Sequence, residues 1–313
     1  MTPEQHFQDA FRADFDLIWQ LQKSRLFQAV RVERQDVENE FYNYIGALDD
    51  DDDVQTTRHG DTTWSEIAHM RRRVTLFAKD KALALDKHDK KMMGPYDPSN
   101  AYVQALTAYF GRYIDRQILR AAGGPAYTGR DGSTVVNNYD VGECRLMEGD
   151  GTWVTAGSGF SGSTDTVLTP EKLNAIGGMM TDNNVPDDGQ RYMVVNDNQI
   201  AGMMTDNTWD GEEIKAIRDI RTRNIGMLLG FNFIVLPSKQ FTVNATDPTC
   251  IECYAWHRDA MLLATGSGSW APEIKITERN DKKHTKQIFC QLFSGATRLQ
   301  GPGVVQVLLK KVA

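Results

Sequence analysis

The chain has 313 residues, 35 basic against 42 acidic, with a formal charge of −7 and an isoelectric point near 5.4. A chain of this length buries roughly 75% of its unfolded surface, so one large domain or two smaller ones need neither disulfides nor a metal, and the acidic balance argues against an exterior built to coat phosphate backbones. No apolar run of about 18 residues occurs, which excludes a membrane-spanning helix, and Met1 to His6 has neither the basic start nor the apolar stretch of a signal peptide, so Cys144, Cys250, Cys253 and Cys290 are expected as reduced thiols in a cytoplasm.

From Thr2 to Phe27, the residues Phe7, Phe11, Phe15, Ile18, Leu21 and Leu26 recur at helical spacing among charges and predict an amphipathic arm in search of a partner. Val30 to Glu33, Glu40 to Ile45 and Met70 to Leu76 carry strand formers and read as a long hairpin or paired extended arms. Asp97-Pro98 opens a helix that runs to Ala122 and stops at Gly123-Gly124. Its apolar stripes (Tyr102, Leu106, Tyr109, Tyr113 and Val103, Phe110, Ile114, Ile118) predict one wide buried face on a rod roughly 37 Å long.

A glycine-rich, β-leaning region (Ala126 to Thr166) follows, and Thr169-Pro170 is a second helix start. A strand over Tyr192 to Asn196, a helix from Asp197 and another over Glu212 to Ile220 give this part α/β character. The stretches Ile176 to Asn184 and Ile200 to Asn207 echo each other at expected helix ends, which reads as coincidence or local duplication. Three strand patterns close the chain: Glu273 to Thr277, Gln287 to Phe293 and Val304 to Leu309.

Motifs that carry chemistry fail one by one. The acidic stretch Asp49 to Asp53 invites calcium, but an EF-hand register started at Asp49 or Asp50 puts Val54 or Gln55 where glycine is required and Gly60 or Asp61 where the bidentate glutamate belongs. Consecutive acids on an extended chain point alternately and repel by roughly 0.7 kcal/mol a pair in water, which predicts a solvated connection. His59 and Asp61 have no second ligand cluster, and His69, His88, His257 and His284 are scattered. Cys250-Ile251-Glu252-Cys253 lacks the second pair a zinc site needs. Gly157 to Gly162 matches a dinucleotide fingerprint, yet Ser163 to Leu168 separate it from the next helix start, and Ser163 stands where a nucleophile elbow needs glycine. Along a strand, Arg71 and Arg73 face one way and Arg72 the other, which favours pairing with acids on a neighbouring strand or chain over a flat phosphate patch.

With no catalytic constellation left, the pattern as a whole resembles the tailed-bacteriophage major capsid proteins of Hong Kong 97 type. The resemblance is carried by Gln22 to Leu26, Thr57 to Thr62 with His69 to Val74, Asp97 to Tyr102, Gly111 to Asp115, Ile225 to Phe233, Gly295 to Arg298 and Gly303 to Val305. It implies an α+β fold with an N-arm (1–29), an extended E-loop region (30–96), a peripheral domain (97–164 and 266–313) with its spine helix at 97–122, and an α/β axial domain (165–265). It implies a structural protein and not an enzyme, without cofactor or metal. The protein would build hexamers and pentamers of an icosahedral head around double-stranded DNA contacted non-specifically. Its partners would be a portal protein and, where used, separate scaffolding and decoration proteins, since no fused helical scaffold segment opens the chain.

The place implied is the virion, assembled in the host cytoplasm. Opposite charge runs in one extended region make Asp49, Asp51, Asp53, Arg58, Arg71, Arg72 and Arg73 the candidate inter-subunit contacts. An encapsulin-like compartment and a nucleotide-binding enzyme are the alternatives, the first told apart by an enzyme cargo and the second by ligand binding lost on Gly159→Ala.

Overall fold

A computed structural model describes residues 23–46, 58, 64, 66–85, 99–137, 140, 145–148, 150–154, 166–205, 209, 211–222, 227–245, 248–268 and 271–311. Of the amphipathic helix expected from Thr2 to Phe27, residues 1–22 lie outside this set and the rest is bends leading to a short 3-10 turn at Phe27–Ala29; the Asp49 to Asp53 run, the Asp97-Pro98 start and the Gly157 to Gly162 motif also lie outside. Strand-forming stretches give β1 (Arg31–Arg34), β2 (Asn39–Ile45), β3 (His69–Thr75) and β4 (Phe77–Leu85). The long helix α1 (Ser99–Gly123) is followed by β5 (Ala126–Thr128), β6 (Thr134–Val136) and β7 (Arg145–Met147).

Next come α2 (Pro170–Asp182), β8 (Arg191–Asn196), α3 (Asp197–Thr205), α4 (Gly211–Thr222), β9 (Met227–Leu228) and β10 (Phe231–Leu236). The chain closes with β11 (Cys250–His257), β12 (Met261–Thr265), β13 (Glu273–Arg279), β14 (Thr285–Arg298) and β15 (Val304–Lys310). Caps fall where the sequence puts them. The Thr169 hydroxyl accepts from the Lys172 amide at 3.3 Å with Pro170 in the first turn, and the Asn196 side chain accepts from the Gln199 amide at 2.8 Å.

The strands form three sheets. A five-stranded sheet runs β1-β12-β14-β13 with β4 also on β14, a six-stranded sheet runs β7-β15-β11-β8-β10-β9, and a four-stranded sheet runs β2-β3-β5-β6. The expected hairpin is present as the antiparallel β2–β3 pair, whereas β1 leaves it to lie parallel to β12. Pairing also departs from chain order at the other end. β12 joins the sheet of β13 and β14, and the final strand β15 inserts between β7 and β11. The chain crosses between these two sheets in two short turns, Arg258–Ala260 and Gly301–Gly303. The turns lie against each other: the Leu299 amide donates to the Ala260 carbonyl at 2.8 Å, and a Cβ on Gly303 would stand 2.7 Å from that of Ala260. Residue 303 must be glycine for the crossings to touch.

Helix α1 is buried more widely than its two stripes predict. Phe110, Ile114 and Ile118 have no exposed surface and Leu106 has 3%, while Gln104, Arg116 and Arg120 alone are exposed among its described side chains. It packs chiefly on β14 and also touches β11, β12 and β15, so a single core runs through the helix and two sheets. Its end is set by packing. Gly123 does not adopt a left-handed conformation, and a Cβ there would collide with the Tyr254 hydroxyl. The buried Arg298 guanidinium donates to the carbonyls of Ala121, Ala122 and Gly124, answering the helix dipole and its last orphan carbonyls.

The buried Asp115 carboxylate of α1 holds the start of the described chain. Its Oδ1 accepts from the Ser24 hydroxyl at 2.6 Å and from the Arg25 and Leu26 amides at 3.0 and 3.1 Å. Burial pushes this carboxyl above its usual range, and those same donors pull the other way. The Arg25 guanidinium reaches the Val235 carbonyl at 2.5 Å, and the Trp256 indole N–H donates to the Ala29 carbonyl at 2.8 Å. The short stretch from Ser24 to Ala29 is thus fastened to α1, β10 and β11.

Two predictions follow from these contacts. Asp115→Ala should leave three donors unmatched and cost about 2–3 kcal/mol locally, read as tryptic cleavage after Lys23 and Arg25 at least tenfold faster than in the parent, with Asp115→Asn intermediate. Gly295 faces the Thr75 carbonyl where β14 passes β3, and a Cβ would overlap that oxygen; Gly295→Ala should lower subunit stability in urea by about 1–3 kcal/mol.

Candidate functional site

Among the described residues no group of three or more His, Cys, Asp or Glu could hold a metal ion. Cys250 and Cys253 lie three apart on β11 and therefore on opposite faces, both buried, so they do not converge. Burial and the neighbouring Glu252 push the Cys253 thiol far above the usual range, the reverse of an activated thiolate. His257 is a structural cap: its Nε2 meets the Asp188 carboxylate at 3.1 Å and its Nδ1 accepts from the Asp259 amide at 3.3 Å. The echoed Gly-Met-Met-Thr-Asp stretches do not keep register, for the first buries Met180 where the second buries Met203, the position equivalent to Met179.

Extended, half-covered surface is prominent instead, and it centres on the four-stranded sheet. Antiparallel register sets Asn43 opposite Arg71, Phe41 opposite Arg73 and Arg73 opposite Tyr127 on one face. The Arg71 guanidinium donates to the Asn43 side chain at 2.7 Å and the Arg130 carbonyl at 3.1 Å, and stands 5.3 Å from the Phe41 ring centroid. Arg73 lies 4.8 Å from the Tyr127 ring centroid. These are cation–π contacts, with the ring faces attracting the guanidinium charge.

Strand alternation turns Arg72 the other way. It is 4% exposed and its Nε donates to the Leu299 carbonyl at 3.3 Å. This corrects the grouping of Arg72 with its neighbours as a surface contact, because its guanidinium is spent inside the chain. Arg58 is exposed in a turn, and Asp49, Asp51 and Asp53 lie outside the described residues. Sequence alone missed Phe41 and Tyr127 as partners of the arginines, since β5 comes to β3 only through folding.

Around this face, Ile45 is 64% exposed, Val135 50%, and Phe41 and Tyr127 37% each. Large apolar side chains exposed together beside fixed cations make a surface suited to another protein, since each would gain by leaving water. A cleft of about 850 Å³ between Tyr44, His69, Met70, Arg71 and Arg130 continues it. No helix among the described residues is long and apolar enough to cross a membrane.

Known proteins supply the context for such a surface. A family model described as phage capsid protein matches residues 4–311. The chain is similar in structure to the capsid of Ralstonia phage GP4, with a TM-score of 0.70 and 13% identity over 97% of this chain and 95% of that one. It is similar to the cyanophage Pam1 capsid, with a TM-score of 0.69 and 15% identity over 100% and 99% of the two chains. The capsid of Helicobacter pylori bacteriophage KHP30 gives a TM-score of 0.64 at 10% identity over 98% and 96%. No curated protein sequence matches. At these identities the likeness is one of fold, a mixed α+β architecture shared with these phage capsids over nearly the whole length. With the family model spanning almost the whole length, the chain belongs to the phage capsid protein family.

Proposed function

We propose that this chain is the major capsid protein of a tailed double-stranded DNA phage, a structural subunit that closes into an icosahedral head and carries no catalytic role. The family match from residue 4 to residue 311 carries this reading, because a phage capsid protein pattern spans nearly the whole chain. Within the shell, α1 with the five-stranded sheet acts as the peripheral layer and its spine. The six-stranded sheet with α2, α3 and α4 acts as the axial layer, to which β7 and β15 come from the stretches 97–164 and 266–313 expected as peripheral, the β2–β3 hairpin acts as the base of an E-loop, and residues 1–29 act as an N-arm. Hexamers and pentamers of the chain enclose the DNA, a portal protein occupies one vertex, and scaffolding and decoration proteins act from outside the chain where the phage uses them. The formal charge of −7 suits a lining that meets packaged DNA without gripping it.

The arginine face supports contacts between copies. Arg71 and Arg73, held by Phe41 and Tyr127, and the exposed Arg58 offer positive charge to the Asp49, Asp51 and Asp53 carboxylates of a neighbouring subunit. Each exposed ion pair contributes only about 0–1 kcal/mol, so the effect comes from repetition over many subunits. Electron microscopy of the expressed chain, alone and with a candidate scaffold, should show shells, tubes or sheets of hexamers; a monomer under all conditions would defeat the reading, and shells that hold an enzyme cargo in place of DNA would favour a cargo compartment. Arg71→Glu with Arg73→Glu should cut the assembled fraction about tenfold. The thermal midpoint of the free subunit should fall by only a few degrees, since the lost cation–π contacts are worth roughly 0.5–1 kcal/mol each.

A further inference from the structure

Strand β14 carries a projecting basic tip at one end and an acid-rimmed apolar groove at the other. At the tip, the turn between β13 and β14 is exposed from Arg279 to His284, and Lys283 and His284 adopt left-handed conformations (φ 50° and 55°) that set its shape. Arg279 is matched by Asp281 at 2.5 Å and Lys286 stands opposite Glu278, which leaves Lys282 and Lys283 as the excess charge. Beside the tip, Ile274 and Ile276 are 37% and 54% exposed. Strand β13 pairs only with β14 among the described residues, so its other edge is open.

The groove lies where β1 leads to β2 and β3 to β4. Val37 (56% exposed), Phe77 (60%) and Phe293 (42%) line it, with Gly266 among them and Asp36 and Glu38 at the rim, around about 590 Å³. Asp36 holds Arg34 at 3.0 Å, but both side chains are more than two-thirds exposed, so that pair exchanges at little cost. Exposed Asp80 adds a third carboxylate on the face of Phe293, since Ala78 opposes Phe293 and Asp80 opposes Gln291. Apolar walls with acids at the rim call for an apolar occupant bearing positive charge.

We infer that this groove receives the Arg279 to His284 tip of a second copy, with Lys282 and Lys283 on Asp36 and Glu38 and the flanking isoleucines toward Val37 and Phe77. The contact cannot be internal. From Thr285 to Phe293 an extended strand covers about 27 Å, and the hairpin built on it does not fold back. Tip and groove are different patches, so the contact is head-to-tail and closes into a ring when the rotation between copies permits. The inference deepens the shell reading by naming a socket and a plug for one of its subunit contacts.

A reciprocal charge exchange in the full chain tests it. Lys282→Glu with Lys283→Glu, and separately Asp36→Lys with Glu38→Lys, should each reduce the assembled fraction in sedimentation velocity at least tenfold, and all four substitutions together should return it to within about threefold of the parent. In parallel, Glu38→Cys with Lys283→Cys treated with a short bismaleimide at high protein concentration should give a ladder of dimers, trimers and larger species on a denaturing gel. Shells that form normally in either charge-reversed pair, with no ladder, would overturn the inference while leaving the shell reading intact. A ladder from a chain that never forms shells would keep the contact and defeat the shell reading.

Discussion

The packing of α1 across β14 is the contact on which the other parts of the molecule depend. Phe110, Ile114 and Ile118 on the helix and Ile288, Cys290 and Leu292 on the strand are all buried in one core, and each fully buried side chain of this size contributes roughly 1.5–3 kcal/mol. Because the helix is covered on nearly every side, it can serve as a post for everything else. Asp115 ties down the chain entering from the N-terminal side, Arg298 seals the helix end to β14, and the Tyr254 hydroxyl against Gly123 ties it to the six-stranded sheet. Buried charged groups of this kind are costly unless satisfied, which makes their positions exacting and ties the helix to one register.

A body braced in this way can leave surface uncovered elsewhere without losing its fold. One face of the four-stranded sheet packs through the small cluster of Val74, Leu262, Ala264 and Leu299, and its opposite face carries Phe41, Ile45, Tyr127 and Val135 toward solvent. For an isolated protein this would be wasted apolar area. In the proposed shell the same side chains would be covered by neighbours, and modest contacts repeated over every subunit would sum to a closed assembly. Cation–π contacts hold Arg71 and Arg73 in place within the subunit, which would lower the side-chain entropy lost in the proposed docking.

Several features were legible in the sequence because their causes are local. Thr169-Pro170 opens α2 through a cap and a fixed φ, the β2–β3 alternation sends Arg72 away from Arg71 and Arg73, and the stripes of α1 mark Phe110, Ile114 and Ile118 as core. Others were read in the right place for a different reason. Gly123-Gly124 looked like a helix stop, and Gly123 proves to be the residue that lets Tyr254 approach. The repeated Gly-Met-Met-Thr-Asp stretches looked alike and bury different methionines, because the helices carrying them face different neighbours.

The sequence by itself determined the long helix, the Thr169-Pro170 helix start, the β2–β3 hairpin, β8, the closing strands and the resemblance to phage capsid proteins, since these rest on spacing, caps and motif order along the chain, whereas β4, β10, β11 and β12 went unread. Only the tertiary structure decided which strands share a sheet. It placed β1 beside β12, inserted β15 between β7 and β11, and brought Tyr127 under Arg73 and the Phe77 and Phe293 side chains to one groove. The physical reason is that pairing between distant strands is chosen by burial of both faces and by where the crossings at Ala260 and Gly303 can touch. Those conditions exist only once the whole core has closed.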